Sequence, residues 1–279
     1  MKKLIAMGLT VIMTAVAVCG CGSSDSVNDA KKSDNQTKQQ AVKVIDVDLT
    51  SEEYAFGVDK NKPELLTQVN DFIKEIKDNG TFDEICNKYF GGGNPTPVKS
   101  EKLDTSKDQL LVATNASFEP FEYMKGDSYY GIDMEIAAAL AKKLNKELVI
   151  QNMEFDSVCL SVGQHKSDIA MTGLTIKEDR KKYVNFTDSY YNAAQRLIVK
   201  GDSTEFDNCK DKAAIEKILK TKDKSVTIGV QNGTTGQFYC EGDKSWGFEG
   251  YKVTTTGYKN GSLAVQDLVY WTYEPECPL

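Results

Sequence analysis

The loop at residues 172–180 carries residue types that bind a small carboxylate. Gly173 lets another group approach the backbone closely, Thr175 offers a hydroxyl, and Arg180 presents a planar guanidinium that matches a carboxylate. Taken alone, Arg180 also fits the commoner alternative, a surface ion pair with a neighbouring Asp or Glu. The loop therefore predicts anion binding, with a surface ion pair as the alternative.

Two further loops have compositions that complement the first. Residues 114–123 combine Asn115 with three aromatic rings, which either form the wall of a ligand site or cover the edge of a core. Residues 231–236 form a Gly/Thr turn at the start of a predicted helix, where free backbone N–H groups favour an anion. This turn is like half of a phosphate loop without the lysine, so a small carboxylate fits it better than a nucleotide.

Side chains for acid–base chemistry are few. His165 is the only histidine and lies at the end of a predicted helix, where a solvated side chain is the simpler interpretation. Glu119 and Glu122 are the remaining candidates for a general acid, and a raised pKa of either would support an enzyme. Because no two cysteines have C-x-x-C spacing, zinc and thioredoxin-like sites have weak support. We expect no catalytic residue, no cofactor and no metal, and Cys209–Cys240 is the preferred disulfide.

Strands and helices alternate along the chain and position these loops. Predicted strands lie at residues 42–47, 54–58, 110–114, 147–151, 168–172, 225–230 and 251–256. Predicted helices lie between Asn61 and Gly80, from Thr81 to Phe90, at 133–144, 157–165, 177–183, 211–220 and 261–269, and from Gly233 onward. The alternation predicts two α/β lobes with mostly parallel sheets, joined near residues 194–200. Ligands bind at the carboxyl ends of such strands, which is where the three loops lie.

Composition and charge narrow the possible partners. The chain has 279 residues, with 41 acidic residues against 34 Lys and Arg and a formal net charge of −7. This balance lacks the basic surface that phosphate backbones require, so we expect no nucleic-acid partner. The length suffices for one large domain or two small ones.

The N-terminus has the plan of a bacterial lipoprotein signal. Lys2 and Lys3 precede an apolar run, residues 4–18, that is too short to span a bilayer comfortably. A small residue before Cys21 resembles a lipobox, which predicts acylation of Cys21 with chains such as palmitate; an ordinary secreted protein is the alternative. Residues 22–41 are polar and read as a flexible tether. These features predict an extracytoplasmic protein that is anchored to the membrane only through its lipid.

Several stretches in order resemble the bacterial extracytoplasmic amino-acid-binding proteins that feed ABC importers, the extracellular solute-binding protein family 3. They are LLVATNASFEPFEY, YYGIDMEIAAALAKKL, MEFDSV, DIAMTGLTIKEDRKKYVNFTDSYYNAAQ and IGVQNGTTG, within residues 108–269. The resemblance implies the type II periplasmic-binding-protein fold, in which two α/β lobes hinge shut on a ligand. It also implies binding of a polar amino acid and delivery to an ABC transporter permease, with no reaction catalysed.

The resemblance implies roles for five residues at the ligand's α-amino and α-carboxylate groups. Gly173 and Thr175 would bind these two groups through backbone and hydroxyl, and Arg180 would pair with the carboxylate. Thr234 and Thr235, at the start of a second-lobe helix, would close over the same carboxylate. These assignments suit a zwitterion, which must exchange its water for a guanidinium and N–H donors.

Four more residues would contact the ligand's side chain. Phe118 and Phe155 would stack against it, and Asn115 and Gln231 would face it. The amides favour a polar side chain but leave glutamine, cystine, histidine and arginine open.

The order of segments departs from the family. Residues 52–92 resemble the family's C-terminal end but come first, as in a circular permutation with residues 93–107 as the joint. The predicted divisions are 1–20 signal peptide, 21–41 lipidated tether, 42–92 displaced C-terminal segment belonging mostly to lobe one, 93–107 linker, 108–196 lobe one, 197–269 partial lobe two and 270–279 unmatched tail. Lobe two lacks a strand whose aspartate would bind the ligand's ammonium, a loss of roughly 1.5–3 kcal/mol.

Three hypotheses follow for the function. The first is a membrane-tethered binding protein for a polar amino acid. The second is a binding-defective, rearranged or truncated relative of the same family. The third is an enzyme on the same fold.

Overall fold

The computed structural model describes residues 3–8 and 41–270, and for residues 3–8 it describes the backbone alone. The strands are β1 Lys3–Gly8, β2 Val42–Val44, β3 Glu52–Tyr54, β4 Gly57–Asp59, β5 Gln109–Thr114, β6 Ser117–Phe118, β7 Glu122–Lys125, β8 Ser128–Tyr130, β9 Glu147–Asn152, β10 Ile169–Ala170, β11 Val184–Phe186, β12 Tyr191–Ala193, β13 Arg196–Lys200, β14 Val226–Gln231 and β15 Thr254–Tyr258. The helices are α1 Pro63–Asp78, α2 Thr81–Phe90, α3 Ile132–Lys143, α4 Phe155–Gly163, α5 Lys212–Leu219, α6 Thr235–Glu241 and α7 Gly261–Tyr270.

Lobe one comprises residues 52–193 and is built on a sheet with the order β11-β4-β10-β5-β9. Strands β5, β9 and β10 are parallel, whereas β4 and β11 are antiparallel to their neighbours. The predicted helix α1 forms because apolar residues recur at helical spacing; Leu65, Val69, Phe72, Ile73 and Ile76 are buried. Helices α1, α2 and α3 share one core cluster on the sheet, and α4 packs on a second, smaller cluster.

Lobe two comprises residues 3–8, 41–51 and 194–270 of the described chain, with the sheet order β15-β14-β1-β13-β2. Its larger core cluster includes Leu197, Ile228 and Tyr239, and a smaller one joins Ile198 to Ala264 and Leu268 of α7. Both faces of this sheet are therefore covered.

Strand β1 is the central strand of lobe two. It runs parallel to β14 and antiparallel to β13, with Ala6 opposite Gly229 on one side and Ile198 on the other. The sequence analysis found lobe two one strand short. In the structure, residues 3–8 form a strand of its sheet, between β14 and β13. They also lie within the segment predicted to be a signal peptide, which stays a prediction from the sequence.

Two chain segments cross between the lobes side by side. Strands β3 and β12 pair antiparallel, with Tyr54 opposite Tyr191. Next to them, the Leu49 N–H donates to the Gln195 carbonyl at 2.9 Å, and the Gln195 N–H donates to the Thr50 hydroxyl at 2.8 Å. These crossings join the lobes close to the three predicted loops.

Several local predictions differ from the structure. The helix predicted at 177–183 is only a 3-10 turn, Arg180–Lys182; the side chains of Arg180 and Lys177 bond to Gly233 and Asp243 of lobe two. The last predicted strand, 251–256, is displaced to β15. The three-stranded meander β6-β7-β8 lies inside a stretch that the prediction treated as loop. Cys209 is a thiol, so the preferred disulfide to Cys240 is not formed.

Some predictions fall outside the described residues. These are Cys21, nearly all of the tether, and the tail beyond Tyr270. Within residues 3–8 and 41–270, no helix combines the length and apolar character needed to cross a bilayer.

Strand β1 gives a stability prediction for the full chain, produced without export so that residues 1–20 remain. Ala6→Pro should lower the free energy of unfolding by roughly 2 kcal/mol or more, because proline removes an N–H from a strand paired on both sides. Val42→Pro in the edge strand β2 is the control and should cost less, since it has one neighbour. Urea unfolding measures both; equal effects would contradict the central position of β1.

Candidate functional site between the lobes

A cavity of about 430 Å³ lies between the two lobes, at the carboxyl ends of β5, β10 and β14. Every residue predicted to contact a ligand lines it: Asn115, Phe118, Phe155, Gly173, Thr175, Arg180, Gln231, Thr234 and Thr235. The structure thus brings together three loops that are up to about a hundred residues apart in sequence. That these residues bind a ligand stays a prediction.

Arg180 is the charged centre of this cavity. Its residue is 9% exposed, and its guanidinium donates to the Thr175 carbonyl at 2.7 Å and, across the cleft, to the Gly233 carbonyl at 2.9 Å. The Phe155 ring lies 5.2 Å from the guanidinium carbon. Burial lowers the pKa of Arg180, although a guanidinium remains charged.

No carboxylate among the described residues forms an ion pair with Arg180. A surface ion pair, the alternative interpretation of this arginine, is therefore not what the structure shows. A guanidinium has five N–H donors in a fixed fork, and the two carbonyls use only part of them. The arrangement leaves a buried cation with donor capacity for an anion.

Glu52 joins the Thr175 loop to the chain crossings. Its carboxylate accepts hydrogen bonds from the Thr175 hydroxyl at 2.7 Å, the Gln195 amide at 3.0 Å and the Thr50 hydroxyl at 2.6 Å. The Thr175 hydroxyl, which the resemblance assigns to the ligand, is thus already bonded to protein. Glu52 is 2% exposed and lines the cavity, although the sequence analysis did not select it.

Asn115 and Gln231 meet across the cleft. The Gln231 amide donates to Asn115 Oδ1 at 3.0 Å, and the Asn115 amide donates to the Met153 carbonyl at 2.7 Å. The two predicted side-chain contacts of the ligand therefore bond to each other in this structure. Together with the Arg180–Gly233 bond, they tie lobe one to lobe two directly.

Two acidic side chains are buried next to the cavity. Asp133 accepts the Gly173 N–H at 2.8 Å and the Tyr190 hydroxyl at 2.7 Å, which fixes Gly173 in its left-handed conformation of φ +49°. Burial raises the pKa of Asp133 to about 7, against these two hydrogen bonds, which lower it. The Gly173 N–H is therefore held by Asp133, and this loop conformation suits glycine.

Glu122 is the second buried acid and lines the cavity itself. Burial, and then the nearby Asp133, raises the pKa of Glu122 well above its ordinary value. One oxygen accepts the Thr172 hydroxyl at 2.9 Å, while Oε2 is buried without a hydrogen-bond partner among the described residues, as is the Thr114 hydroxyl. This buried carboxyl oxygen therefore keeps hydrogen-bonding capacity that a ligand or a water can use.

The remaining lining comes from elements that the motifs did not mark. Helix α7 contributes Gly261, Ser262, Val265 and Gln266 from its first two turns, and the crossings contribute Tyr54 and Gln195. The signal that could have found α7 is its position after the parallel strand β15, because parallel strands end at the same edge of a sheet.

Among the described residues, neither a histidine nor a group of metal-binding side chains lies at the cavity. His165 bonds to Asp59 at 2.8 Å and does not line the cavity. Within residues 3–8 and 41–270, no group of three His, Cys, Asp or Glu side chains could hold a metal ion.

The model for bacterial extracellular solute-binding proteins, family 3, matches residues 11–92 and 110–256, which is most of the chain. The chain belongs to this family. Membership, with the two α/β lobes around a cleft, confirms the predicted family and the type II periplasmic-binding-protein fold.

Curated relatives of this family 3 protein are named as amino-acid-binding proteins. The arginine-binding extracellular protein ArtP of Bacillus subtilis is 36% identical over 131 residues, 47% of each chain. The arginine-binding periplasmic protein of Mannheimia haemolytica is 34% identical over 166 residues, 58% of this chain and 61% of that protein. A probable histidine-binding protein of Neisseria gonorrhoeae is 34% identical over 160 residues, 56% of this chain and 53% of that protein. The chain spans about half to three-fifths of the length of these relatives.

Solved structures of amino-acid-binding proteins are among the similar chains. The ancestral amino-acid-binding protein AncCDT-1, described as a precursor of cyclohexadienyl dehydratase, matches with TM-score 0.48 and 28% identity, covering 68% of this chain and 69% of that one.

The buried acids give a pH prediction for this family 3 protein. Because the pKa of Asp133 is raised to about 7, the folded state keeps a proton that the unfolded chain releases near pH 4. Stability should therefore fall as pH rises from about 4 to 7, by about 1.4 kcal/mol per pH unit from this group, and the contribution should level off above its folded pKa.

Asp133→Asn should flatten that slope even if it lowers stability at every pH. Asp179→Asn is the control, because Lys177 and Lys182 lower the pKa of Asp179 to about 2 and its contribution changes only at more acidic pH. Urea unfolding at pH 4.5, 5.5, 6.5 and 7.5 measures both slopes. An unchanged slope in Asp133→Asn would show that Asp133 does not carry the proton.

Proposed function

We propose that this protein binds an amino acid outside the cytoplasm and delivers it to an ABC importer, by closure of its two lobes on the ligand. The observation that carries the proposal is Arg180, a buried cation in the cleft that forms no ion pair with an acid among the described residues. A ligand α-carboxylate would supply that partner and would also satisfy the remaining guanidinium donors. Phe118 and Phe155 would contact the ligand's apolar stem, while Thr234 and Thr235 would approach the carboxylate from lobe two.

We further propose a cationic amino acid, such as arginine or histidine, as the ligand. Glu52, Glu119 and Glu122 line the cavity against the single cation Arg180, which the ligand's carboxylate would neutralise. Glu122 Oε2 has no hydrogen-bond partner among the described residues, and a guanidinium or imidazolium has the N–H donors to provide one. The arginine- and histidine-binding names of the relatives support the same class.

Isothermal titration calorimetry with a panel of arginine, histidine, lysine, glutamine, cystine and glutamate tests both proposals. We expect the cationic ligands to bind most tightly. Arg180→Met should weaken every ligand by roughly 10- to 150-fold, because it removes a charge-assisted hydrogen bond from a buried site. Arg196→Met is the control, since Arg196 pairs with Asp46 and Asp48 away from the cavity.

Glu122→Gln separates the two proposals. It should weaken the cationic ligands and leave glutamine nearly unchanged, because a cationic ligand would favour the charged form of Glu122 and pair with its carboxylate, which the amide of Gln cannot supply. Binding without any effect of Arg180→Met would contradict the carboxylate site, and no heat with any ligand would support the binding-defective alternative.

The raised pKa of Glu122 also bears on an enzyme, because a carboxyl that keeps its proton can act as a general acid. We propose binding instead, since His165 does not line the cavity and so does not offer a base there. Steady heat that continues after saturation in the same titrations would indicate turnover and support the enzyme.

We propose that in the exported form residues 1–20, which include strand β1, are removed and acyl chains on Cys21 hold the protein at the membrane. The charged start, the apolar run and the small residue before Cys21 support this. Cys21→Ser, expressed in a bacterium with a lipoprotein pathway, should move the protein from the membrane pellet to the soluble fraction. Cys19→Ser is the control and should leave it in the pellet.

A further inference from the structure

A buried lysine outside the ligand cavity connects the two lobes. Lys177 belongs to the lobe-one loop that carries Thr175 and Arg180, yet it is 4% exposed and does not line the cavity. Its ammonium lies 2.8 Å from Asp243 Oδ2 and 3.4 Å from the Ser245 hydroxyl, and 4.7 Å from the centre of the Phe238 ring. All three of these partners belong to lobe two.

The lobe-two side of this contact is fixed in place. Asp243 accepts the Ser245 N–H at 2.8 Å and the Ser245 hydroxyl at 2.5 Å, so a tight turn after α6 orients its carboxylate. We call Asp243, Ser245 and Phe238 together the Lys177 socket. The only other ion-pair partner of Lys177 among the described residues is Asp179 at 2.7 Å, in its own loop and 57% exposed.

The Lys177 socket complements the contact made by Arg180. Arg180 reaches the Gly233 carbonyl, just before α6, whereas Lys177 reaches Asp243, just after it. One loop of lobe one thus holds both ends of α6, once inside the cavity and once outside it. Separation of the lobes would take Lys177 out of its socket, leaving Asp179 and water as its partners.

We propose that Lys177 and its socket form a closure latch, which sets how tightly the lobes hold a ligand without touching that ligand. The proposal rests on lobe closure as proposed above. Removing one partner of a buried, hydrogen-bonded charge pair mainly accelerates dissociation, whereas encounter with the ligand occurs in the open form. The latch should therefore control the release rate of the amino acid more than its association rate.

The test compares Lys177→Met with Lys182→Met in the full chain. Lys182 pairs with the same Asp179 at 2.9 Å, but it is 70% exposed and has no ion pair with the described residues of lobe two. Small-angle X-ray scattering without ligand should give a larger radius of gyration for Lys177→Met than for the parent and Lys182→Met. Stopped-flow release of arginine should be roughly 10- to 100-fold faster in Lys177→Met, with the association rate changed less than threefold.

Asp243→Asn provides a second, independent variant and should reproduce both effects. The double variant Lys177→Met/Asp243→Asn should open the protein no further than either single change, because both remove the same pair. Identical scattering and release for Lys177→Met and Lys182→Met would overturn the latch. If the parent binds no amino acid, the proposed function fails, while the scattering comparison without ligand still decides whether the latch exists.

Discussion

The buried guanidinium of Arg180 is the constraint on which the cleft depends. Moving a charge out of water is costly unless hydrogen bonds and an opposite charge replace the water. Here two carbonyls, one from each lobe, and the Phe155 ring supply part of that replacement. Because Gly233 belongs to lobe two, its carbonyl can accept a hydrogen bond from the guanidinium only when the lobes are together. The guanidinium of Arg180 thus links the closed position of the lobes to the binding of an anion.

The described acidic side chains around Arg180 do not form an ion pair with its guanidinium. Glu52 accepts three hydrogen bonds from Thr50, Thr175 and Gln195. Burial raises the pKa of both Asp133 and Glu122, which favours their neutral forms. A neutral acid can position its neighbours, as Asp133 does with Gly173, without neutralising the arginine. Glu52 interacts electrostatically with Arg180 without forming an ion pair with it, so the guanidinium keeps donor capacity for the carboxylate of a ligand.

Much of this site was predictable, because its residues follow strands whose order along the chain is regular. Gly173 and Arg180 follow β10, and Gln231 is the last residue of β14, so residue type and position indicated the same place at the cleft. Glu52 was not predictable in this way, because its role depends on a crossing that brings it to Thr175, 123 residues further along the chain. The prediction of a helix at 177–183 was wrong for a related reason. Lys177 and Arg180 both bond to lobe two, and such long-range contacts leave no periodic pattern in the local sequence.

The two lobes differ in how their sheets are assembled from the chain. Lobe one is formed from the continuous stretch 52–193, within which β4 pairs with β10 and β11 from the far end of the same stretch. Lobe two combines strands from residues 3–8, 42–44, 196–200, 226–231 and 254–258, so its sheet requires pairing over long sequence separations. An apolar run after two lysines suits both a signal peptide and the centre of such a sheet, because each requires the same residue types. The backbone pairing of Ala6 on both sides places these residues in the sheet of the uncleaved chain, which unfolding experiments can check.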